Sequence, residues 1–148
     1  MNRPLKILLV QANPSHGQTI CQAVARCPIN SSVISIESSA LMMDYLLGQG
    51  IWANVTPSQP DLILLEWNQV PVLDHKALDE LKADPSLRLI PVVVLTNSRE
   101  EKDVASVYRS GGTSFIVKPP DLETMTAVMA TLLQYWATIV QLPTRIMA

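Results

Sequence analysis

Three side chains of different chemistry each close an apolar run. Glu66 follows Asp61-Leu62-Ile63-Leu64-Leu65, Thr96 follows Pro91-Val92-Val93-Val94-Leu95, and Lys118 follows Ser114-Phe115-Ile116-Val117. A carboxylate can ligate a cation or act as a nucleophile, an ammonium offsets anionic charge, and a hydroxyl both donates and accepts hydrogen bonds. Gln11, Ala12 and Asn13 follow the first run, Lys6-Ile7-Leu8-Leu9-Val10, and Trp67 and Asn68 come directly after Glu66. These residues form one site only if the runs lie side by side with the same ends together.

The spacing predicts that arrangement. Five short strands are expected at residues 6–10, 32–36, 61–65, 91–95 and 114–117, and helices at 15–26, 39–49, 75–83, 99–110 and 121–136. Continuous apolar runs suit parallel strands covered on both faces, whereas Ser32-Val33-Ile34-Ser35-Ile36 alternates as a half-buried edge strand does. Asp121 after Pro119-Pro120 reads as a helix N-cap, and Gly111-Gly112 as a helix stop. A strand–helix alternation repeated five times gives an α/β doubly wound parallel sheet, most simply of flavodoxin-like order 2-1-3-4-5. Its functional crevice lies at the carboxyl ends of the strands, where Glu66, Thr96 and Lys118 stand.

Bulk properties narrow the function. The chain has 148 residues, 11 basic and 13 acidic, with a net charge of −2. That is one domain's length, with no basic stripe for nucleic acid. The N-terminal apolar run is too short for a signal peptide or a membrane span, so a cytoplasmic protein is expected. Cys21 and Cys27 lack the spacing of a zinc site and read as buried free thiols. No GxGxxG or GxxxxGK[ST] motif is present, and no serine stands in a Ser-His-Asp pattern.

The stretches Ile7-Leu8-Leu9-Val10, Pro60-Asp61-Leu62-Ile63-Leu64-Leu65, Leu81-Lys82-Ala83-Asp84-Pro85, Ile90-Pro91-Val92-Val93-Val94-Leu95-Thr96 and Phe115-Ile116-Val117-Lys118-Pro119 resemble the receiver (CheY-like) domain of response regulators. The tail from Tyr135 to Pro143 resembles that of the small single-domain regulators of cyanobacterial phytochromes. The resemblance implies a receiver over residues 1–136 with a short extension at 137–148. It also implies two-component (phosphorelay) signalling with a sensor histidine kinase or another signalling protein as partner. A homodimer through the face of the fourth helix, fifth strand and fifth helix and through the extension is implied as well.

In that family two acidic residues after strand one and an aspartate after strand three hold Mg²⁺, and the aspartate takes a phosphoryl group. Carried over, Glu66 stands at the phosphoacceptor, Thr96 at the switch hydroxyl, Phe115 at the aromatic switch and Lys118 at the lysine. The metal-site positions hold Gln11, Ala12 and Asn68, so only Glu66 remains as an acidic ligand. The expectation is an atypical receiver, not an enzyme, without bound Mg²⁺ or other cofactor and without ordinary phosphorylation. Glu66, one methylene longer than aspartate, either imitates a phosphoaspartate or is a relic paired with Lys118. Alternatives are a receiver phosphorylated on Glu66 and a flavin- or small-ligand-binding protein using Asn13-Pro14-Ser15-His16-Gly17. His16 and His75 read as exposed histidines near helix starts, Trp52 and Trp67 as packing or surface residues, and Met42-Met43 and Met125-Met129 as core.

Overall fold

The computed structural model describes residues 4–11, 13–54, 59–66, 71–96, 101–109 and 111–142, with the backbone alone for 71–75 and 101–103. The strands are β1 (Leu5–Val10), β2 (Ser31–Ile36), β3 (Leu62–Glu66), β4 (Val92–Thr96) and β5 (Ser114–Val117). The helices are α1 (Pro14–Arg26), α2 (Ser39–Leu47), α3 (Pro71–Ala83), α4 (Glu101–Arg109) and α5 (Leu122–Gln134). The strands form one sheet of order β2-β1-β3-β4-β5, and every pairing is parallel, as the alternation of elements predicts.

The strand pleat sorts the core onto two sides. Leu8, Val10, Ile63, Leu65, Val92 and Val94 pack with Met42, Leu46, Leu78, Leu81 and Val107 under α2, α3 and α4. Ile7, Leu9, Leu62, Leu64, Val93 and Leu95 pack with Ile20, Val24, Met125, Met129 and Leu133 under α1 and α5. Adjacent residues alternate between the two clusters because successive side chains of a strand point to opposite faces. Each fully buried Leu, Ile or Val contributes about 1.5–3 kcal/mol of transfer free energy, so β1, β3 and β4 anchor the domain. β2 alternates exposed and covered positions at the sheet edge.

Local chemistry sets the element ends. The Asn13 side chain accepts from the backbone N–H groups of Ser15 and His16, and Pro14 occupies the first turn of α1. Asp121 caps α5 by accepting from Thr124 N–H at 2.7 Å, as expected, and these bonds hold its carboxyl below the usual carboxylate range. α4 ends at a turn in which Gly111 N–H donates to Tyr108 O and Gly112 N–H to Val107 O. Gly111 has φ 99°, and a Cβ there would meet Lys82 Cγ at 2.5 Å. Glycine meets both demands. Lys82 itself donates to the Arg88 and Ile90 carbonyls, and burial lowers its ammonium below the usual lysine range.

Two boundaries differ from the sequence expectation. α3 begins at Pro71 rather than at residue 75, which places proline at the first helical position where its missing N–H costs nothing. At the other end, α5 runs into a π-helical turn, Tyr135–Ile139, closed by Val140 N–H donating to Tyr135 O. Beyond that turn Leu142 is only 1% exposed and packs in the α1/α5-side core with partly buried Ala137 and Val140. Leu142 lies in the extension expected to add to a dimer contact, and it covers the chain's own core. Cys21 and Cys27 are free thiols; burial raises both above the usual thiol range. Trp52 packs edge-on against Tyr45 with centroids 5.5 Å apart.

Candidate functional site at the carboxyl rim of the sheet

The register brings the three strand-end residues level. Glu66 lies beside Leu95, Thr96 lies beside Val117, and Lys118 N–H continues the ladder by donating to Thr96 O at 2.7 Å. Glu66 and Lys118 share pleat parity with Leu64 and Ile116, so both belong to the side covered by α1 and α5. Thr96 and Phe115 share the opposite parity and are diagonal neighbours across β4 and β5.

The centre of the site is an ion pair. Lys118 Nζ lies 3.0 Å from Glu66 Oε2, and the two side chains are 7% and 8% exposed. It is a close charge contact rather than an aligned hydrogen bond, because Oε2 has no partner of hydrogen-bond geometry among the described residues. Two charges withdrawn from water hold each other strongly, and removing either leaves the other uncompensated.

A third group joins them. His16, on the first turn of α1, sets Nδ1 3.0 Å from Lys118 Nζ and 3.5 Å from Glu66 Oε1. Its side chain is 43% exposed, so the ring bridges the buried pair and solvent. An ammonium only donates, so at 3.0 Å Nδ1 accepts from Lys118, and the neutral ring carries its proton on Nε2. The expectation of a plain exposed cap histidine is corrected here. His16 lies 102 residues from Lys118 in the chain, and only the crossover of α1 over the sheet brings them together.

Gln11 is buried beside this cluster. Its Nε2 donates to Ser35 Oγ at 3.4 Å, while Oε1 has no hydrogen-bond partner among the described residues. A Cβ on Gly17 would lie 2.6 Å from Gln11 Cδ, so glycine lets α1 close down on the carboxamide. The sequence offered Gly17 only as part of the loop Asn13 to Gly17 and gave Ser35 no role; the structure makes Gly17 the close approach of α1 to Gln11. Thr96 is buried at the rim, and Phe115 is half-buried against the α2/α3/α4-side core. Ala12, Trp67, Asn68 and the His75 side chain lie outside the described residues.

A cavity of about 240 Å³ opens next to the ion pair. His16, Thr19 and Lys118 supply its polar wall and Ile20, Pro119 and Met125 its apolar wall. Among the described residues no three His, Cys, Asp or Glu side chains cluster as a cation site, and no helix is long and apolar enough to cross a membrane. Among the described residues the rim presents a hard cation with one carboxylate already engaged by an ammonium and one neutral amide oxygen. Mg²⁺ sheds water reluctantly and is ordinarily held by carboxylates, so this donor set does not fit it.

Comparisons with known proteins agree with this architecture. Response regulator Rcp1 of Synechocystis is 30% identical over 142 residues, covering 96% of this chain and 95% of Rcp1. The chain belongs to the response-regulator receiver family. A probable methanogenesis regulatory protein, FilR2 of Methanothrix harundinacea, is 30% identical over 90% of this chain and 84% of its own. The solved structure of the phosphorylated cyanobacterial phytochrome response regulator RcpA superposes with a TM-score of 0.84 at 31% identity, over 95% of this chain and 99% of RcpA. The Mn²⁺-bound form of Rcp1 gives 0.81 at 29% identity over the same shares. No family model matches the chain. As a receiver of two-component signalling, this chain is similar to regulators of the phytochrome type.

Proposed function

We propose that this receiver signals through protein contacts, turning over no substrate, with its acceptor crevice closed by the Glu66–Lys118 ion pair instead of being gated by Mg²⁺ and an acyl phosphate. The observation that carries this reading is the 3.0 Å contact between two side chains that are each less than one-tenth exposed. In the family's chemistry the lysine answers charge on the transferring phosphoryl group, and the metal answers the rest. Here Lys118 already answers Glu66. Gln11 supplies a neutral oxygen in place of an anionic one, and Ala12 supplies none. Glu66 also carries its carboxylate one methylene farther along, and misplacement near 1 Å costs about 10²-fold in rate. Glu66, held by a cation and longer than aspartate, imitates the charge and reach of a phosphorylated acceptor. That supports a switch at Thr96 and Phe115 biased without phosphate.

The partners in this reading are a sensor histidine kinase or another signalling protein, and a second copy of the chain. The homodimer face consists of α4, β5 and α5 with the exposed side chains of Tyr108, Tyr135 and Ile139. The Mn²⁺-bound form of Rcp1 favours a second reading, in which a metal enters and Glu66 is phosphorylated. Incubation with acetyl phosphate and Mg²⁺, followed by intact mass, separates the two. The expected result is no hydroxylamine-sensitive adduct. An adduct that is lost in Glu66→Ala would establish the second reading.

A further inference from the structure

β2 closes the sheet on one side and, among the described residues, pairs with β1 alone. Its outer edge carries none of the usual defences against pairing with another strand. Ser31–Ile36 runs for six residues without a charge, a proline or a glycine. The direction of its backbone groups follows from its two ends. Leu5 N–H donates to Asn30 O and Gln11 N–H to Ile36 O, both at 2.9 Å. Bonding alternates along a strand, so the even-numbered residues turn to β1, and Ser31, Val33 and Ser35 present N–H and C=O outward. The side chains next to that edge also leave apolar surface open. Lys6 pairs with Ser32 and Leu8 with Ile34, so all four share the face covered by α2. Ile34 is 44% exposed there, and a cavity of about 100 Å³ opens between Lys6, Leu8, Ser32, Ile34, Tyr45 and Pro60.

From this geometry we infer that the β2 edge is a contact for a second copy of the chain, the two strands pairing antiparallel about a twofold axis at Val33. Val33 then faces Val33 of the second copy, and Ser31 faces Ser35. These are the residues whose N–H and C=O point outward, so each facing pair exchanges both of its hydrogen bonds. Between them Ser32 faces Ile34 on the side of α2. The exposed Ile34 of each copy thereby lies over the Ser32 end of the other's cavity and leaves water. Like charges do not meet, because the strand carries none. Moving either strand by one residue sets outward backbone groups against inward ones. An axis at Ile34 keeps the bonding but sets Ile36, buried in its own core, opposite Ser32, and so leaves the cavity unfilled. One short strand from each copy is a small interface, so the association is weak and forms only where the protein is concentrated. β2 and β5 lie at opposite edges of the sheet. The contact therefore leaves the face of α4, β5 and α5 free and joins copies already paired there into longer assemblies.

The inference goes beyond the closed-crevice reading and does not depend on it. Its first test is light scattering on the full chain carrying Tyr135→Asp and Ile139→Asp, which removes the other proposed contact. The expected result is a monomer in dilute solution whose mean mass rises towards that of a dimer on concentration. Adding Ile34→Lys or Val33→Pro, both at the open edge, abolishes the rise while the circular dichroism spectrum stays native. The second test reads the register. Facing Cα atoms of such a pair lie about 5.5 Å apart, within the roughly 4.4–6.8 Å that a disulfide spans. Concentrated Val33→Cys chain oxidised with glutathione disulfide is expected to give a dimer linked through position 33, whereas Ser31→Cys gives none linked through position 31. A mass that stays monomeric at every concentration, or a rise that survives Ile34→Lys and Val33→Pro, overturns the inference. Linkage through position 31 as efficient as through position 33 overturns the twofold pairing at Val33. None of these results touches the Glu66–Lys118 pair, whose own test is the phosphodonor experiment.

Discussion

At the scale of single residues, the site depends on what surrounds one carboxylate. Glu66 is buried at the end of β3 and compensated by Lys118 at 3.0 Å, with His16 Nδ1 3.5 Å away at the mouth. Breaking a desolvated pair costs more than the pair contributes, because an uncompensated charge remains. Lys118→Met is therefore expected to lower unfolding free energy by about 3 kcal/mol in urea titration, and the double variant with Glu66→Leu to recover most of that loss. A single-variant loss below about 1 kcal/mol would mean that water already solvates the carboxylate, as for an exposed pair. The strand-end positions of Glu66, Thr96 and Lys118 were legible in the sequence, since each closes an apolar run. His16 was not, because its role depends on the angle at which α1 crosses the sheet. Side-chain type and sequence distance do not report that angle.

Elements place these residues, and here pattern and structure agree where periodicity is strong. The five strands and their order follow from apolar runs separated by amphipathic stretches, and the N-cap at Asp121 from its position after two prolines. Agreement weakens where composition alone carries the information. Pro71 opens α3 four residues before the expected start, because proline at a first helical position resembles proline in a loop. Ile139, Val140 and Leu142 look equally apolar in sequence, yet Ile139 is 69% exposed and Leu142 1%. The π-helical turn at Tyr135–Ile139 separates their fates, and no residue type announces such a turn. Leu142→Ala is expected to destabilise the domain by about 3 kcal/mol, in the range for a buried leucine truncation, read from the urea midpoint. A shift under about 0.5 kcal/mol would show that the segment after α5 is an appendage.

For the whole molecule, the sheet divides the labour between its two faces. The side covered by α1 and α5 carries Glu66, Lys118 and His16, whereas Thr96 and Phe115 belong to the side of α2, α3 and α4. At the strand ends Lys118 N–H donates to Thr96 O, which joins the residue that carries the ion pair to the opposite side of the sheet. The exposed Tyr108, Tyr135 and Ile139 are the apolar area on which the proposed homodimer rests. Sedimentation is expected to show a dimer that Tyr135→Asp combined with Ile139→Asp converts to monomer. A dimer unaffected by those changes would locate the interface elsewhere.

The central claim, that an ammonium and not a metal ion compensates Glu66, is tested most directly by calorimetric titration of the purified chain with Mg²⁺ and, in parallel, Mn²⁺. The account predicts no saturable binding in the sub-millimolar range for either ion, and the same flat trace for Glu66→Ala. Saturable sub-millimolar binding to the native chain that disappears in Glu66→Ala would contradict it.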